Sequence, residues 1–594
     1  MQPAQPVNVT FQVTVPSDTI PGSSLRLAGN VLQLGNVFTE LNGTQSISGS
    51  LAPAMVMIDE THYLTVVEVY AGTDLRYKYT LGDGLWNAER DSQGYFITRQ
   101  LIVPDHDIVV QDTVSSWHVA NQGTIRFYLN TPPNTPDDDR MSLQFNPFVW
   151  FDPLPMWQVG EDEWFFVLYG PLDFNQPLGY RYCRNQLCDG ADDEETYGDN
   201  ITGRPVSGST ANQDLMDTVS AWQWWPEEQT DATVVAPGDI LPRLGFETGV
   251  SLVPDYRPGW LPVLTNRISS LPSLGVNTVE LTPPWILTQN SPTPLIGFDP
   301  SHTPFTQSLV DLAERAHNTG LQVVLRPELM TGDGSSLQAW WSAAPRDYAW
   351  WTIWFEQYRQ YLLNFATLAV MIDADKLVIS GAAVSPSFLS GELADGSPSG
   401  APPDADLRWR DLIAEVREIY AGPLALEIEV GETNPDLPPF IDIVDEVHFY
   451  WHPSLATDLK GVAGMQNQAA RRLDQLLANR AIQGKPIILN VEYLSVQGGA
   501  SGCALAPDGS CRAPADFDLG QQVDPDLAVN LEEQAQAINA VLLEAYSRDR
   551  IQGLYLRRFN LLAALQDKSA SVYGKPAGDI AWYWFAQLTS SPTE

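Results

Sequence analysis

Basic residues are scarce in this chain of 594 residues: 33 lysines and arginines stand against 73 aspartates and glutamates, a formal net charge of -40. Such a field repels a phosphate backbone and an anionic lipid surface, so nucleic acid and membrane adhesion are excluded as primary partners. Long apolar runs are missing too, and nothing approaches the ~20 residues that span a bilayer. The start, MQPAQPVNVTF, lacks a basic n-region and an apolar h-region. The expectation is therefore a bacterial secreted protein, extracellular or at the cell surface, whose signal peptide is absent from this chain. Cysteine is limited to four residues in two local pairs, Cys183 with Cys188 and Cys503 with Cys511. Neither pair has the second Cys or His pair that a zinc site needs. They read as two small disulfides in an oxidising compartment, with four free thiols as the alternative. Metal-ligand clusters and phosphate loops are likewise absent, so neither a metal nor a cofactor is expected.

What is abundant is tryptophan, 19 residues, within an ordinary 44% of hydrophobic residues. Indoles bury large areas, and most serve as core. Their flat faces also stack on sugar rings, which puts a neutral polysaccharide or oligosaccharide among the candidate ligands.

Two grammars divide the chain. Residues 7–118 hold short alternating segments such as Val9 to Val15, Tyr63 to Val69, Leu75 to Tyr79 and Ile97 to Val103, separated by glycine, proline and aspartate. This pattern predicts an antiparallel β-sandwich. It then repeats: Asp112-Thr113-Val114-Ser115-Ser116-Trp117 returns as Asp217-Thr218-Val219-Ser220-Ala221-Trp222. Tyr77-Lys78-Tyr79 is echoed by Tyr180-Arg181-Tyr182, and Arg99 by Arg204. From about Gly245, strand-like runs alternate with helical patterns. The runs fall at 248–253, 278–281, 322–326, 377–381, 424–430, 446–449, 486–491 and 553–557. Eight strands with intervening helices predict a (β/α)₈ barrel. The expected organisation is a sandwich at 1–119, a second copy at 120–226, a linker at 227–244 and the barrel at 245–594.

The sandwiches resemble the starch-binding type of carbohydrate-binding module, family 20. The likeness lies in the opening Val9–Val13 strand, Leu34-Gly35-Asn36, Tyr77-Lys78-Tyr79, Trp86 and Asp112 to Trp117. It implies sugar-stacking aromatics, for which Trp86, Trp157 and Trp164 are candidates, although Val37 and Phe38 stand where that family places a stacking Trp.

The barrel resembles the β-mannanase-type glycoside hydrolases of family 113. The likeness is carried by GLQVVLRPE (320–328), WFEQYRQYLLNFATLA (354–369), VISG (378–381), VDEVHFYWHP (444–453), GKPIILN (484–490) and GKPAGDIAWYWF (574–585). It implies a retaining mechanism with two carboxylates at strand tips. The implied acid/base position at the fourth strand holds Ala383. The implied nucleophile at the seventh falls on Val491 by ungapped matching, leaving Glu492 one residue late and facing away unless a bulge or one-residue insertion turns it in.

Two readings follow. In one, Glu492 is the nucleophile of a working glycosidase, and Glu328, Glu429 or Glu392 gives the proton. Asp255, Trp285, Tyr450, Trp451, His452, Tyr493, Arg557 and Asn560 then line the substrate cleft. In the other, the barrel only binds glycan, as part of a surface or extracellular-matrix protein. A structural protein with no glycan ligand is a third class. Arg557 and Arg558 suit an anionic substituent, or else pair with the fifth-strand glutamates.

Overall fold

The computed structural model describes residues 5–20, 23–35, 52–82, 86–119, 122–170, 176–188, 203–257, 260–299, 303–332, 335–431, 435–457, 461–505, 511–512, 514–517 and 527–590. Asn36, Val37, Phe38 and Glu432 lie outside them. Two compact units emerge, Met1–Glu227 with Pro258–Trp260, and Glu228–Arg257 with Leu261–Glu594. Both local cysteine pairs are disulfide-bonded. Among the described residues, no helix is long and apolar enough to cross a membrane.

The first unit contains two sandwiches of one design. In the first, Pro6–Thr14 alternates strictly, so Val7, Val9, Phe11 and Val13 point into the core. This strand pairs antiparallel with His62–Tyr70 and parallel with Ile108–Thr113. In the second, Ile125–Asn130 likewise pairs antiparallel with Glu163–Leu168 and parallel with Gln213–Thr218. The repeated sequence signature has a structural cause. Asp112 accepts hydrogen bonds from the hydroxyls of Tyr77 and Tyr79, each at 2.9 Å, and pairs with Arg99 at 2.9 Å. Asp217 accepts from Tyr180 at 2.8 Å and Tyr182 at 2.7 Å, with Arg204 3.8 Å away. The closing tryptophans match as well: Trp117 donates to Thr19 and Trp222 to Thr135. These residues tie the two sheets of each sandwich together.

The copies interlock. Trp86, from a turn of the first, is buried in the core of the second against Phe145, while Phe165, Val167 and Tyr169 of the second pack into the core of the first. Asn87 donates to the Val167 carbonyl and accepts from the Tyr169 amide. The sugar-stacking role expected for Trp86 and Trp164 does not fit this burial, since both are core residues. Trp157 is half-buried and stacks on Phe166 at 5.6 Å.

The second unit is a closed barrel of eight parallel strands in sequential order. They are β1 (Glu247–Leu252), β2 (Thr278–Leu281), β3 (Gln322–Leu325), β4 (Lys376–Val378), β5 (Leu424–Val430), β6 (Glu446–Trp451), β7 (Ile487–Val491) and β8 (Ile551–Phe559). Helices cover the outside. Tyr348–Met371, for example, starts on an Asp347 cap that accepts from the Trp350 amide. Within residues 227–244, Val235 exchanges two hydrogen bonds with Asn539 of a barrel helix.

Inside the barrel, Val324, Val378, Ala425, Ile488 and Tyr555 form one apolar cluster, and polar groups pack around it. Gly249 makes room for the Tyr555 ring, which lies 2.2 Å from where a Cβ would sit. At the strand starts, Lys376 pairs with Glu247 at 3.1 Å and Glu446 at 2.5 Å. His448, fully buried, stands 3.5 Å from Glu446 and 3.8 Å from Glu280, which also holds Arg326 at 2.9 Å. Burial alone would raise the Glu280 and Glu446 pKa values. For Glu280 the facing Arg326 and His448 outweigh burial, for Glu446 the facing His448 and Lys376 do, and each falls to about 2. Burial would lower the His448 pKa, but its two carboxylate neighbours raise it.

Two predictions follow from this packing. Trp86→Ala is expected to cost about 3–5 kcal/mol in the first unit. Calorimetry of the full chain should show its transition falling while the barrel transition stays in place. The barrel's pH response has two limbs. The depressed carboxylates stabilise it above their unfolded pKa near 4.5, a contribution lost as pH falls toward about 2. The raised His448 stabilises it fully below 6.5, a contribution lost as pH climbs through the folded value. At about pH 6, His448→Gln should cost roughly 3–5 kcal/mol, because it strips charge from a buried cluster. That deficit should shrink as the wild-type histidine titrates, and urea midpoints across the range read it directly; a deficit indifferent to pH would contradict the assignment.

Candidate functional site

In a barrel of this type the chemistry sits at the carboxyl ends of the strands. Alternation along each strand decides which side chains reach the interior. Glu427 and Glu429 of β5 share one parity, as do His448, Tyr450 and His452 of β6 and its following residue. On β7 the inward set is Ile488 and Asn490, because Ile488 belongs to the apolar cluster and Asn490 donates to Glu427 at 3.2 Å. Glu492 continues that set. Its carboxylate meets Arg558 at 2.8 Å and Arg557 at 3.2 Å inside the mouth. The register counted from Lys485-Pro486, which turned Glu492 outward, is therefore corrected: Val491 is the buried, outward-facing residue.

Strand β8 supplies two adjacent arginines to one carboxylate, which an ideal strand cannot do. The pairing of β1 with β8 steps between Val250–Leu556 and Leu252–Phe559, so Arg557 and Arg558 lie opposite Ser251 alone. Arg558 also adopts a left-handed backbone, φ 53°. Bulge and left-handed residue together turn both side chains inward. Arg557 bonds Glu427 at 2.6 Å and lies over the Tyr450 ring at 4.1 Å. Arg558 reaches Glu328 at 3.6 Å, and Arg557 reaches it at 4.0 Å. From the end of β3, Arg326 bonds Glu328 at 2.7 Å and lies 3.6 Å from Glu427.

The result is a buried array of Glu280, Glu328, Glu427 and Glu492 laced by Arg326, Arg557 and Arg558. Glu492 is 1% exposed. Both its oxygens are sealed from solvent, and neither accepts an aligned hydrogen bond, so the two arginines hold it as ion pairs. Burial would raise the Glu328 pKa, but Arg326, Arg558 and Arg557 pull it to about 2. Glu429 is the accessible carboxylate, 43% exposed, and bonds His452 at 2.9 Å. That imidazole outweighs burial and lowers the Glu429 pKa, while Glu429 in turn raises that of His452 against burial.

Other candidates are placed elsewhere. Glu392 is exposed on the loop after β4, in a bridge with Pro398. Trp451 is fully buried on the face of β6 opposite Tyr450. Tyr493 donates to the Pro453 carbonyl, and Asn560 accepts from the Leu562 amide, so both brace the loops. Trp285 packs edge-on against Tyr361 and Phe365, half-buried, and Asp255 pairs with Arg257 at 3.2 Å. A cleft role for Trp451, Tyr493 and Asn560 conflicts with this burial. Ala383 lies in the turn Ala382–Ser387 after β4, where its carbonyl accepts from the Trp341 indole at 2.8 Å. Arg326, Glu280 and Asn490 were not singled out from the sequence. A glutamate inside the apolar Thr278–Leu281 run, and an arginine two residues past inward-facing Val324, were the available signals.

A family model described as Glycoside Hydrolase Family 113 matches residues 263–575. A search of curated proteins finds no match. Among solved structures, the chain is similar to a family 113 β-1,4-mannanase at 20% identity and a TM-score of 0.45, over 57% of this chain and 98% of that one. It is similar at 20% identity and 0.45 to the family 113 β-mannanase of Alicyclobacillus acidocaldarius, over 58% and 98%. A β-glucuronidase of Ruminococcus gnavus aligns at 10% identity and 0.37, over 88% and 70%. The family model spans just over half the sequence and the whole run from the first barrel helix to the last strand, and the chain belongs to glycoside hydrolase family 113.

Proposed function

We propose that this protein is an extracellular glycan-binding member of its family whose barrel does not hydrolyse by the two-carboxylate route. The observation that carries this reading is the state of Glu492. A nucleophile must reach an anomeric carbon, and both oxygens here are sealed from solvent under two guanidinium groups. The proton donor is missing as well. Ala383 occupies the position the family resemblance assigns to it, Glu328 is held ionised at about 2, and Glu429 is held ionised by His452. Glu392 is exposed on the loop after β4. A general acid needs a pKa near the working pH, and Glu328 and Glu429 are displaced the other way.

Sugar contact falls to the rim, where exposed Glu429 can accept from ring hydroxyls beside half-buried Tyr450 and His452. Among the described residues, the guanidinium groups of Arg326, Arg557 and Arg558 all face carboxylates, so a neutral glycan suits the site better than an acidic one. The N-terminal sandwiches are read as carbohydrate-binding-type modules, with Trp157 the one of the three tryptophan candidates that keeps partial exposure. Two disulfides support an oxidising, extracellular setting.

The test pairs affinity electrophoresis with reducing-sugar release on β-mannan, xylan, starch and polyuronate. Retardation by a neutral polysaccharide with no release of reducing ends is the expected result, and Glu429→Ala should weaken it. Release of reducing ends that Glu492→Gln abolishes would overturn the proposal, as would no retardation on any polymer. Restoring a carboxyl with Ala383→Glu should give no turnover. In a competent site a positioned acid contributes about 10²–10⁴-fold, and here the nucleophile stays covered.

A further inference from the structure

We propose that Arg558 is a cap over Glu492, and that the carboxylate beneath it is a latent site for the paired hydroxyls of a sugar or polyol. The inference rests on the non-hydrolytic reading of the barrel and deepens it. Arg557 and Arg558 contact the same carboxylate but differ in how they are held. Arg557 is anchored on three sides, by Glu427 at 2.6 Å, the Tyr450 ring at 4.1 Å and Glu492 at 3.2 Å. It neutralises Glu427 and Glu492 from within the strand. Arg558 arrives by the bulge, on a left-handed backbone that bulky residues disfavour. It contacts Glu328 at 3.6 Å and Glu492 at 2.8 Å, and the shorter contact closes the Glu492 carboxylate from the second side.

Removing Arg558 leaves Glu492 paired with Arg557, so the carboxylate does not become an isolated buried charge. Both Glu492 oxygens also lack an aligned hydrogen bond in the closed arrangement. Their acceptor capacity is therefore unspent, and vicinal hydroxyls are the neutral donors whose spacing matches a carboxylate's two oxygens. Glycine takes φ 53° without strain, so Arg558→Gly removes the cap and relaxes the backbone at once.

The experiment measures modification of Glu492 by a water-soluble carbodiimide with glycine ethyl ester, located by peptide mass in the full-length protein. Wild type should be unmodified at Glu492, and Arg558→Gly should be modified readily while keeping its far-ultraviolet circular dichroism. Arg558→Gln, similar in length and uncharged, provides the same readout should the glycine variant fail to fold, and Arg558→Lys should stay largely protected. Titration with mannohexaose should tighten about tenfold in the opened variants, the gain expected from roughly two restored hydrogen bonds. A folded Arg558→Gly or Arg558→Gln protein with Glu492 still unmodified, or a wild type modified equally fast, would remove the cap. Modification in the variants without any glycan binding would keep the cap and sink the sugar-binding reading instead.

Discussion

Burying four carboxylates in the upper half of a barrel is tolerable only with counter-charges buried beside them, and the rest of the site follows from that requirement. An isolated carboxylate taken from water costs several kcal/mol even after relaxation. Glu280, Glu328, Glu427 and Glu492 are each in contact with at least one of Arg326, Arg557 and Arg558. The pairing makes the array a structural element, comparable in rank to the apolar cluster.

The geometry of β8 is where structure and chemistry meet. A regular strand sends adjacent side chains to opposite faces. By placing two residues opposite Ser251, the strand delivers a second guanidinium to a carboxylate that already has one. A single extra residue in one strand thus converts an open tip into a closed one. Nothing in β7 needs to change for this to happen, and Glu492 keeps the inward orientation that a ligand-facing carboxylate would have. The cover over Glu492 is written in the neighbouring strand.

That division explains what could be read in advance. The eight strands were legible because parallel strands buried on both faces appear as short apolar runs, and each run lies within a few residues of its observed strand. The array was not. Whether Glu492 faces in or out depends on parity relative to Asn490, which only the Glu427 contact reveals. Whether it is covered depends on the pairing of β1 with β8, segments some 300 residues apart. Register between distant strands leaves no local trace, so residue counting from Lys485 gave the opposite face.

The tryptophans carry the same lesson about context. A Trp in a turn of a sandwich, as at Trp86, reads as a sugar platform when the sandwich is considered alone. Its fate is decided by the next copy, whose core it enters against Phe145 and Phe151. The first copy receives Phe165, Val167 and Tyr169 in exchange. Such reciprocal insertion makes each copy's core depend on the other, so the repeat is a pair in physical terms even though the sequence repeats singly. It also removes aromatic surface that two independent modules would have displayed. At the barrel mouth the Tyr450 ring is likewise committed, lying 4.1 Å from the Arg557 guanidinium, so aromatic and charged groups there hold one another just as the two sandwich cores do.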